Sequence, residues 1–285
     1  MVRAMRRLAP LLALAVASCA TLPDAEPPRW GVQLYTVREA MAQNPFSTLL
    51  DVRALGYDEV EFAGVGEYEP ELVCRYAQGL GLSVAAAHAD WKQLRDDPQA
   101  AVAEAKALCA DTIMLAWLPP EERQTLAQWR EWIGRLNGIA KLAEAEGMGV
   151  AYHAHDFEFA PIDGIRPIDL LMADMDPAIG FEMDTYWVAK AGVDPLDFLR
   201  RHADRITHLH LKDMAADGSM ADVGTGTLGM VAIIAQARRQ GVAHFLVERD
   251  DAPDPWASLR ASLDSLRAMP LQRATSSTVS GTTPP

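Results

Sequence analysis

Short apolar runs recur along the chain, and each is followed by a segment whose apolar residues have helical spacing. The eight runs occupy residues 30–35, 58–62, 83–88, 112–116, 149–153, 179–184, 206–211 and 243–247. Strands that alternate with helices predict a parallel sheet with helical crossovers. Eight such units in about 250 residues match the size of a closed (β/α)8 barrel, the TIM barrel. A doubly wound open sheet is the alternative, but no glycine-rich phosphate loop follows the first run.

The runs end in polar residues. In chain order the residues at or just after their ends are Gln33, Glu61, His88, Trp117, His153, Asp184, His210 and Glu248, of which seven are polar or ionisable. The middles of the same runs are mostly Val, Ile, Leu and Ala. In a TIM barrel the active site lies at the C-terminal ends of the strands. The pattern therefore predicts an active site where these ends meet.

The chemistry of this set favours a metal. Oxygen and imidazole donors on separate rigid strands suit one divalent ion such as Mn²⁺, Mg²⁺, Co²⁺ or Zn²⁺. On the seventh run His208 and His210 lie on the same face. We expect His210, nearer the end, to be the ligand and His208 to be buried deeper. The alternative interpretation of the whole set is a buried network of ion pairs.

Five stretches resemble the sugar phosphate isomerase/epimerase group, whose members have the xylose isomerase-like barrel. They are residues 152–159, 182–187, 208–213, 223–226 and 247–250, within a resemblance that runs from about residue 30 to 269. The resemblance implies metal ligands at Asp184, His210 and Glu248. The remaining ligand in the family is a glutamate, and His153 stands at that position here, followed by His155.

The resemblance also implies proton abstraction next to a carbonyl, with an enediolate that the metal stabilises. Family epimerases use two glutamates as acid and base on opposite faces of the sugar, and only Glu248 is kept here. We expect the second proton transfer from Glu158 or from a histidine such as His153, unless the reaction needs only one base. Otherwise His155 and Glu158 are expected to orient the ligands.

Five residues are predicted to bind substrate, each with a structural alternative. They are Glu61, His88, His155, Trp187 and Lys212. Glu61 and His88 could instead form a local salt bridge, and Lys212 could pair with Asp213. Trp187, like Trp91 and Trp117, lies just past a strand end, where an aromatic face can stack on a sugar or pack in the core.

The predicted function is a divalent-metal-dependent sugar isomerase or epimerase acting on a neutral keto-sugar or derivative. One alternative is a metal-dependent lyase or hydratase that eliminates from a 3-keto-glycoside or an inosose. Another is a lipoprotein that binds carbohydrate without catalysis. The net charge of −13 argues against nucleic acid as a partner and makes an unphosphorylated sugar the better substrate. An oligomer of identical subunits stays open.

The N-terminus resembles a bacterial lipoprotein signal. Three arginines precede an apolar run at residues 8–16, which is too short to span a bilayer as a mature helix. The run ends in Ser18-Cys19, so the resemblance implies cleavage before Cys19 and acylation of that residue. Ala20 in the next position suggests the outer membrane and a periplasmic location. An ordinary secretory signal is the alternative.

The predicted organisation is a signal peptide at 1–18, a tether at 19–29, a TIM barrel domain at 30–270 and a disordered tail at 271–285. Cys74 and Cys109 lie within helical patterns. Export would permit a disulfide, but we expect both cysteines to be buried apolar fillers.

Overall fold

Eight parallel strands close into a barrel in the computed structural model, which describes residues 28–271. The strands are β1 (Gly31–Gln33), β2 (Glu59–Phe62), β3 (Ser83–Ala89), β4 (Thr112–Leu115), β5 (Gly149–Ala154), β6 (Gly180–Asp184), β7 (Ile206–Leu211), β8 (Asp213–Met214), β9 (Met220–Ala221) and β10 (His244–Val247). Strands β1 to β7 pair in sequence and β10 closes the ring between β7 and β1. Strands β8 and β9 form a separate antiparallel ladder. The predicted (β/α)8 barrel is confirmed.

Helices surround the barrel and connect its strands. They are α1 (Arg38–Gln43), α2 (Pro45–Leu55), α3 (Pro70–Gly79), α4 (Trp91–Asp96), α5 (Pro98–Ala107), α6 (Leu126–Ala145), α7 (Pro167–Asp174), α8 (Thr185–Lys190), α9 (Pro195–Arg201), α10 (Met230–Gln240) and α11 (Pro255–Ala268). Helix α6 begins at Leu126 because the Thr125 side chain caps it and exchanges hydrogen bonds with Gln128.

Side-chain alternation builds the floor of the barrel interior. Ala86 and Ala151 lie two residues before His88 and His153, so they point inward one layer deeper. Together with Met114 they form a small buried apolar cluster, separate from the main core. The main core fills the space between the barrel and the helices. The polar side chains near the strand ends therefore lie above an apolar layer, at one mouth of the barrel.

The two cysteines are bonded to each other. Cys74 of α3 and Cys109, just after α5, form a disulfide with Cα atoms 5.7 Å apart. The expectation of two unpaired apolar fillers was therefore wrong. Cys109 is not inside a helix, since α5 ends at Ala107 and Cys109 has a positive φ of 58°. The bond spans 35 residues, so no local pattern announces it.

The predicted signal peptide, Cys19, and most of the tether and tail lie outside the described residues. Within residues 28–271, no helix combines the length and the apolar character needed to cross a membrane.

Candidate active site

A cavity of about 550 Å³ opens at the C-terminal ends of the barrel strands. Six predicted site residues line it: His88, His153, His155, Trp187, Lys212 and Glu248. Asp184 and His210 are fully buried next to it. The polar strand ends predicted from the sequence do therefore meet at one mouth of the barrel.

Three of the four predicted metal ligands form a compact donor group. His153, Asp184 and His210 each present a donor atom, and these atoms all lie within 4.8 Å of one another. His153 Nδ1, Asp184 Oδ2 and His210 Nδ1 are buried and make no hydrogen bond of standard geometry among the described residues, although each has a potential ion-pair partner at 2.9 to 3.1 Å. Burial of polar atoms without good hydrogen bonds is costly, and a divalent ion would satisfy all three. Glu248 Oε2 lies 2.9 Å from His210 Nδ1, so the fourth predicted ligand adjoins the group.

Asp184 is oriented by the start of α8. Its Oδ1 atom accepts the backbone N–H groups of Tyr186 and Trp187, at 2.8 Å and 3.0 Å, and so caps the helix. The other oxygen, Oδ2, is left free of the cap. The same local sequence therefore ends strand β6, begins a helix and fixes the direction of one candidate ligand.

A second layer of charge lies below this group. His210 Nε2 is 3.1 Å from Glu61 Oε1 and 3.0 Å from Glu182 Oε2. His88 Nε2 pairs with Glu61 and lies 3.7 Å from Glu182. Metal-binding histidines usually donate their second ring N–H to a carboxylate. His210 has this arrangement, with Nδ1 towards the donor group and Nε2 towards the lower carboxylates.

Glu182 is a functional candidate that the sequence analysis missed. It is fully buried, and its Oε2 atom also lies 3.1 Å from His153 Nδ1. Its signal was available, since Glu182 is two residues before Asp184 and therefore on the same face of β6. Only one residue was taken from each strand end, so Glu182 was left out.

Glu61 does not occupy the position expected of a substrate ligand. It is fully buried, and its Oε1 atom accepts a hydrogen bond from Gln33 Nε2 at 2.5 Å as well as contacting His210. It therefore lies among the groups beneath the cavity, and its contacts fit a role in orienting His210 and His88.

Lys212 places a positive charge beside Asp184 and Glu248. Its Nζ atom lies 2.8 Å from Glu248 Oε2, 3.1 Å from Asp184 Oδ2 and 3.0 Å from Asp250 Oδ1. Burial opposes the charge, but these carboxylates raise the pKa of Lys212 and keep it protonated. The alternative partner, Asp213, instead accepts hydrogen bonds from the backbone of the loop that follows β7.

The other ionisable side chains of the cavity wall differ in protonation state. Burial holds the pKa of His153 well below its usual range and lowers that of His155 to about 3, so both imidazoles are neutral. Burial opposes ionisation of Glu248, but Lys212 and His210 lower its pKa and keep it ionised. Burial, together with Glu248, raises the pKa of Asp250 to about 6. An ionised carboxylate and a carboxyl that can be protonated thus face the same cavity.

Glu158 lies outside the cavity. It is fully buried; Oε1 accepts the Tyr152 hydroxyl at 2.6 Å and Oε2 accepts the His155 N–H at 2.8 Å. Burial raises the pKa of Glu158 to about 7. This position does not support the predicted proton transfer to substrate. Its contacts fit the other predicted role, which is to hold the segment after β5 in place.

Residues 49–269 match the family model described as xylose isomerase-like TIM barrel. An inosose dehydratase of Clostridium tetani is 28% identical over 158 residues, which are 53% of this chain and 52% of that protein. An inosose dehydratase of Geobacillus thermodenitrificans is 36% identical over 91 residues, 32% of this chain and 30% of that protein. The chain thus spans about half, or less, of the curated relatives it matches.

Among solved structures, a sugar phosphate isomerase/epimerase from Parabacteroides distasonis aligns with a TM-score of 0.74 and 23% identity, covering 86% of this chain and 99% of that one. That likeness shows a shared fold. Together with the family match over residues 49–269, it leads to one conclusion: the chain belongs to the xylose isomerase-like TIM barrel family.

Proposed function

We propose that the protein is a metal-dependent lyase that eliminates water or an alcohol from a neutral cyclic polyhydroxy ketone, an inosose or a 3-keto-glycoside. The observation that carries the proposal is that Glu248 is the one glutamate among the described residues lining the cavity, with Lys212 Nζ 2.8 Å from its carboxylate. Elimination next to a ketone needs one base to begin. The similarity to inosose dehydratases supports the same reaction class.

The donor chemistry fits a divalent ion held by His153, Asp184 and His210, with Glu248 beside them. When bound, such an ion supplies Lewis-acid charge for the ketone oxygen of the substrate. The cofactor predicted from the sequence is retained on this basis, with the identity of the metal left open.

The side chains of the cavity can perform the proton transfers. Glu248 takes the proton from the carbon next to the ketone, and Lys212 holds the carboxylate in place through its 2.8 Å contact. The electron pair of that C–H bond forms the C=C bond, and the C–O bond at the next carbon breaks. Asp250 lines the same cavity and can give a proton to the departing oxygen. The net change is the loss of water or an alcohol.

Isomerisation or epimerisation is a second candidate. His153 lies near the end of β5 and Glu248 follows β10, and two strands, β6 and β7, lie between β5 and β10 in the ring. Both side chains line the cavity. Two proton-transfer groups on well-separated strands are the requirement of a two-base reaction, with His153 in place of the second glutamate.

Product analysis distinguishes the two. We expect ¹H NMR of the purified metal-loaded protein to show an unsaturated ketone with an inosose, and an unsaturated ketone and free methanol with a methyl 3-keto-glucoside. A product of unchanged mass with a moved carbonyl or inverted carbon would identify an isomerase or epimerase instead. A protein that binds neither metal nor ketone would match the hypothesis of a non-catalytic carbohydrate-binding lipoprotein.

We expect Glu248→Gln to lower turnover by about 10²- to 10⁴-fold, because the variant cannot accept the carbon-bound proton. Asp251→Asn is the matched control, since Asp251 is exposed and pairs with Arg249 two residues earlier. Circular dichroism checks that both variants fold. Retained activity in Glu248→Gln would rule out Glu248 as the base.

We also propose that the protein works in the periplasm, anchored through Cys19. The Cys74–Cys109 disulfide supports this, because disulfides persist in oxidising compartments. Fractionation of cells tests it, and recovery of the protein from the cytoplasm with free thiols would contradict it.

A further inference from the structure

We propose that the outer half of the cavity binds a flat aromatic substituent, so that the preferred substrate carries an aryl group on the oxygen that leaves. The inference deepens the proposed function, on which it rests for the ring that reacts. The aromatic site itself is argued from the cavity wall alone.

The wall of the cavity changes in character from its inner end to its rim. Towards the barrel axis it presents charged and imidazole groups, including Lys212 and Glu248. The lining also includes Ala116, Arg123, Asp156, Asp250 and four aromatic side chains, which are Tyr35, Trp117, Phe157 and Trp187. They follow β1, β4, β5 and β6, so they approach the cavity from several sides of the ring. A ligand matched to this wall has one polar ring and one apolar part.

Trp117 is the most exposed of these aromatic residues. Its side chain is 46% exposed, and it makes no ring contact, hydrogen bond or ion pair with any residue in the described part of the chain. Tyr35 is 44% exposed, and the Arg38 guanidinium lies over its ring at 4.5 Å from the centroid. Large apolar side chains that face a cavity while exposed to water indicate a binding surface.

The other two aromatic residues are already held in place. Phe157 stacks on His155 at 5.2 Å between ring centroids, and the Arg123 guanidinium lies 3.5 Å from the Phe157 centroid. Trp187 lies 5.3 Å from His155 and 4.4 Å from Lys190 Nζ. A wall whose side chains are already ordered loses little conformational entropy when a flat ligand binds.

An aryl group at this end also suits the elimination. The C–H bond next to the ketone breaks and its proton goes to Glu248, the C=C bond forms, and the bond from carbon to the aryl oxygen breaks. An aryl oxide is a weaker base than hydroxide or an alkoxide, so it departs more readily and takes up its proton afterwards. The substrate already carries the ketone. An earlier reaction must therefore oxidise a ring hydroxyl to supply it.

Binding measurements test the aromatic site without any turnover. Phenyl β-glucoside and methyl β-glucoside differ only in the group at the rim, and neither has the ketone that elimination requires. We expect titration calorimetry on the metal-loaded protein to give a Kd for the phenyl compound about tenfold lower, from stacking and apolar burial. Equal Kd values would overturn the proposal. A lower Kd for methyl β-cellobioside than for methyl β-glucoside, without a lower Kd for the phenyl compound, would also overturn the proposal. That result would indicate a site for a second sugar.

Variants at the rim locate the effect. We expect Trp117→Ala to remove about fivefold of the phenyl preference while the Kd for the methyl compound stays within about twofold, and Trp117→Phe to restore most of it. Leu72→Ala is the control, because Leu72 is 47% exposed on α3 and does not line the cavity. Equal weakening of both glucosides in Trp117→Ala would contradict the assignment.

Failure of the inference can be told apart from failure of the proposed function. Elimination of water from an inosose together with equal glucoside affinities would preserve the lyase and overturn the aromatic site. A clear phenyl preference with no elimination from any ketone would support the aromatic site and overturn the lyase.

Discussion

The imidazole of His210 joins the two layers of charge at the barrel mouth. Its Nδ1 atom faces Glu248 at 2.9 Å, and its Nε2 atom faces Glu182 at 3.0 Å. Burial opposes protonation, but Glu182 and Glu248 raise the pKa of His210 in the absence of a metal. The carboxylates that hold this proton also attract a divalent ion, whose binding would release it from Nδ1.

Glu182 is expected to support the metal through His210, since its Oε2 atom lies 3.0 Å from His210 Nε2. Replacing it with glutamine removes the negative charge that makes the His210 imidazole a better ligand, so we predict a Kd for Mn²⁺ about 10- to 100-fold higher by titration calorimetry. Glu59→Gln is the matched control, since Glu59 is also buried and pairs with a histidine, His244, at 3.0 Å. Glu59 begins β2, at the opposite end of the barrel. Equal affinities in wild type and Glu182→Gln would show that Glu182 has no part in the site.

Among the secondary-structure elements, the loop after β7 shows how one side chain can order a segment. The carboxylate of Asp213 accepts the backbone N–H groups of Gly224, Gly226 and Leu228, at 2.9 to 3.2 Å. A Cβ atom on Gly226 would lie only 2.5 Å from Met214 O, so the loop needs glycine there. The glycines thus serve a tight turn beside β7, and their spacing is too short for a phosphate loop.

The disulfide ties α3 to the end of α5, and we predict that it contributes about 3 to 4 kcal/mol to the free energy of unfolding. The reason is the loop it closes, since 35 residues separate Cys74 from Cys109. Urea unfolding with and without reductant measures this contribution. Reductant is expected to leave a Cys74→Ala/Cys109→Ala double variant unchanged. A wild-type protein equally stable in both conditions would refute the prediction.

The strands bring several carboxylates together at one mouth of the barrel. We therefore expect metal binding to stabilise the barrel as a unit. At a free ion concentration about 100 times Kd, we predict about 2.7 kcal/mol of added stability, which is a rise in Tm of about 5 to 10 °C for a domain of this size. Differential scanning calorimetry with Mn²⁺ and after chelation measures the shift. The Asp184→Asn variant, which lacks one candidate ligand, should lose most of it. An unchanged Tm in the wild type would contradict the assigned metal site.

The sequence determined what depends on neighbours along the chain. The eight short apolar runs and the helical spacing between them predicted eight strand–helix units, and parallel strands in a barrel place their C-terminal ends together. That is why His153, Asp184, His210 and Glu248 could be assigned to one mouth before any coordinates were known.

The tertiary structure decided what depends on contacts between distant segments. Glu158 turns away from the cavity because the Tyr152 hydroxyl and the His155 N–H satisfy it. Glu182 joins the site because β6 lies between β5 and β7 and so meets histidines of both. The Cys74–Cys109 bond likewise depends on how α3 and α5 lie side by side. Hydrogen bonding and burial act over a few ångströms of space whatever the distance along the chain, so these outcomes had no local pattern to reveal them.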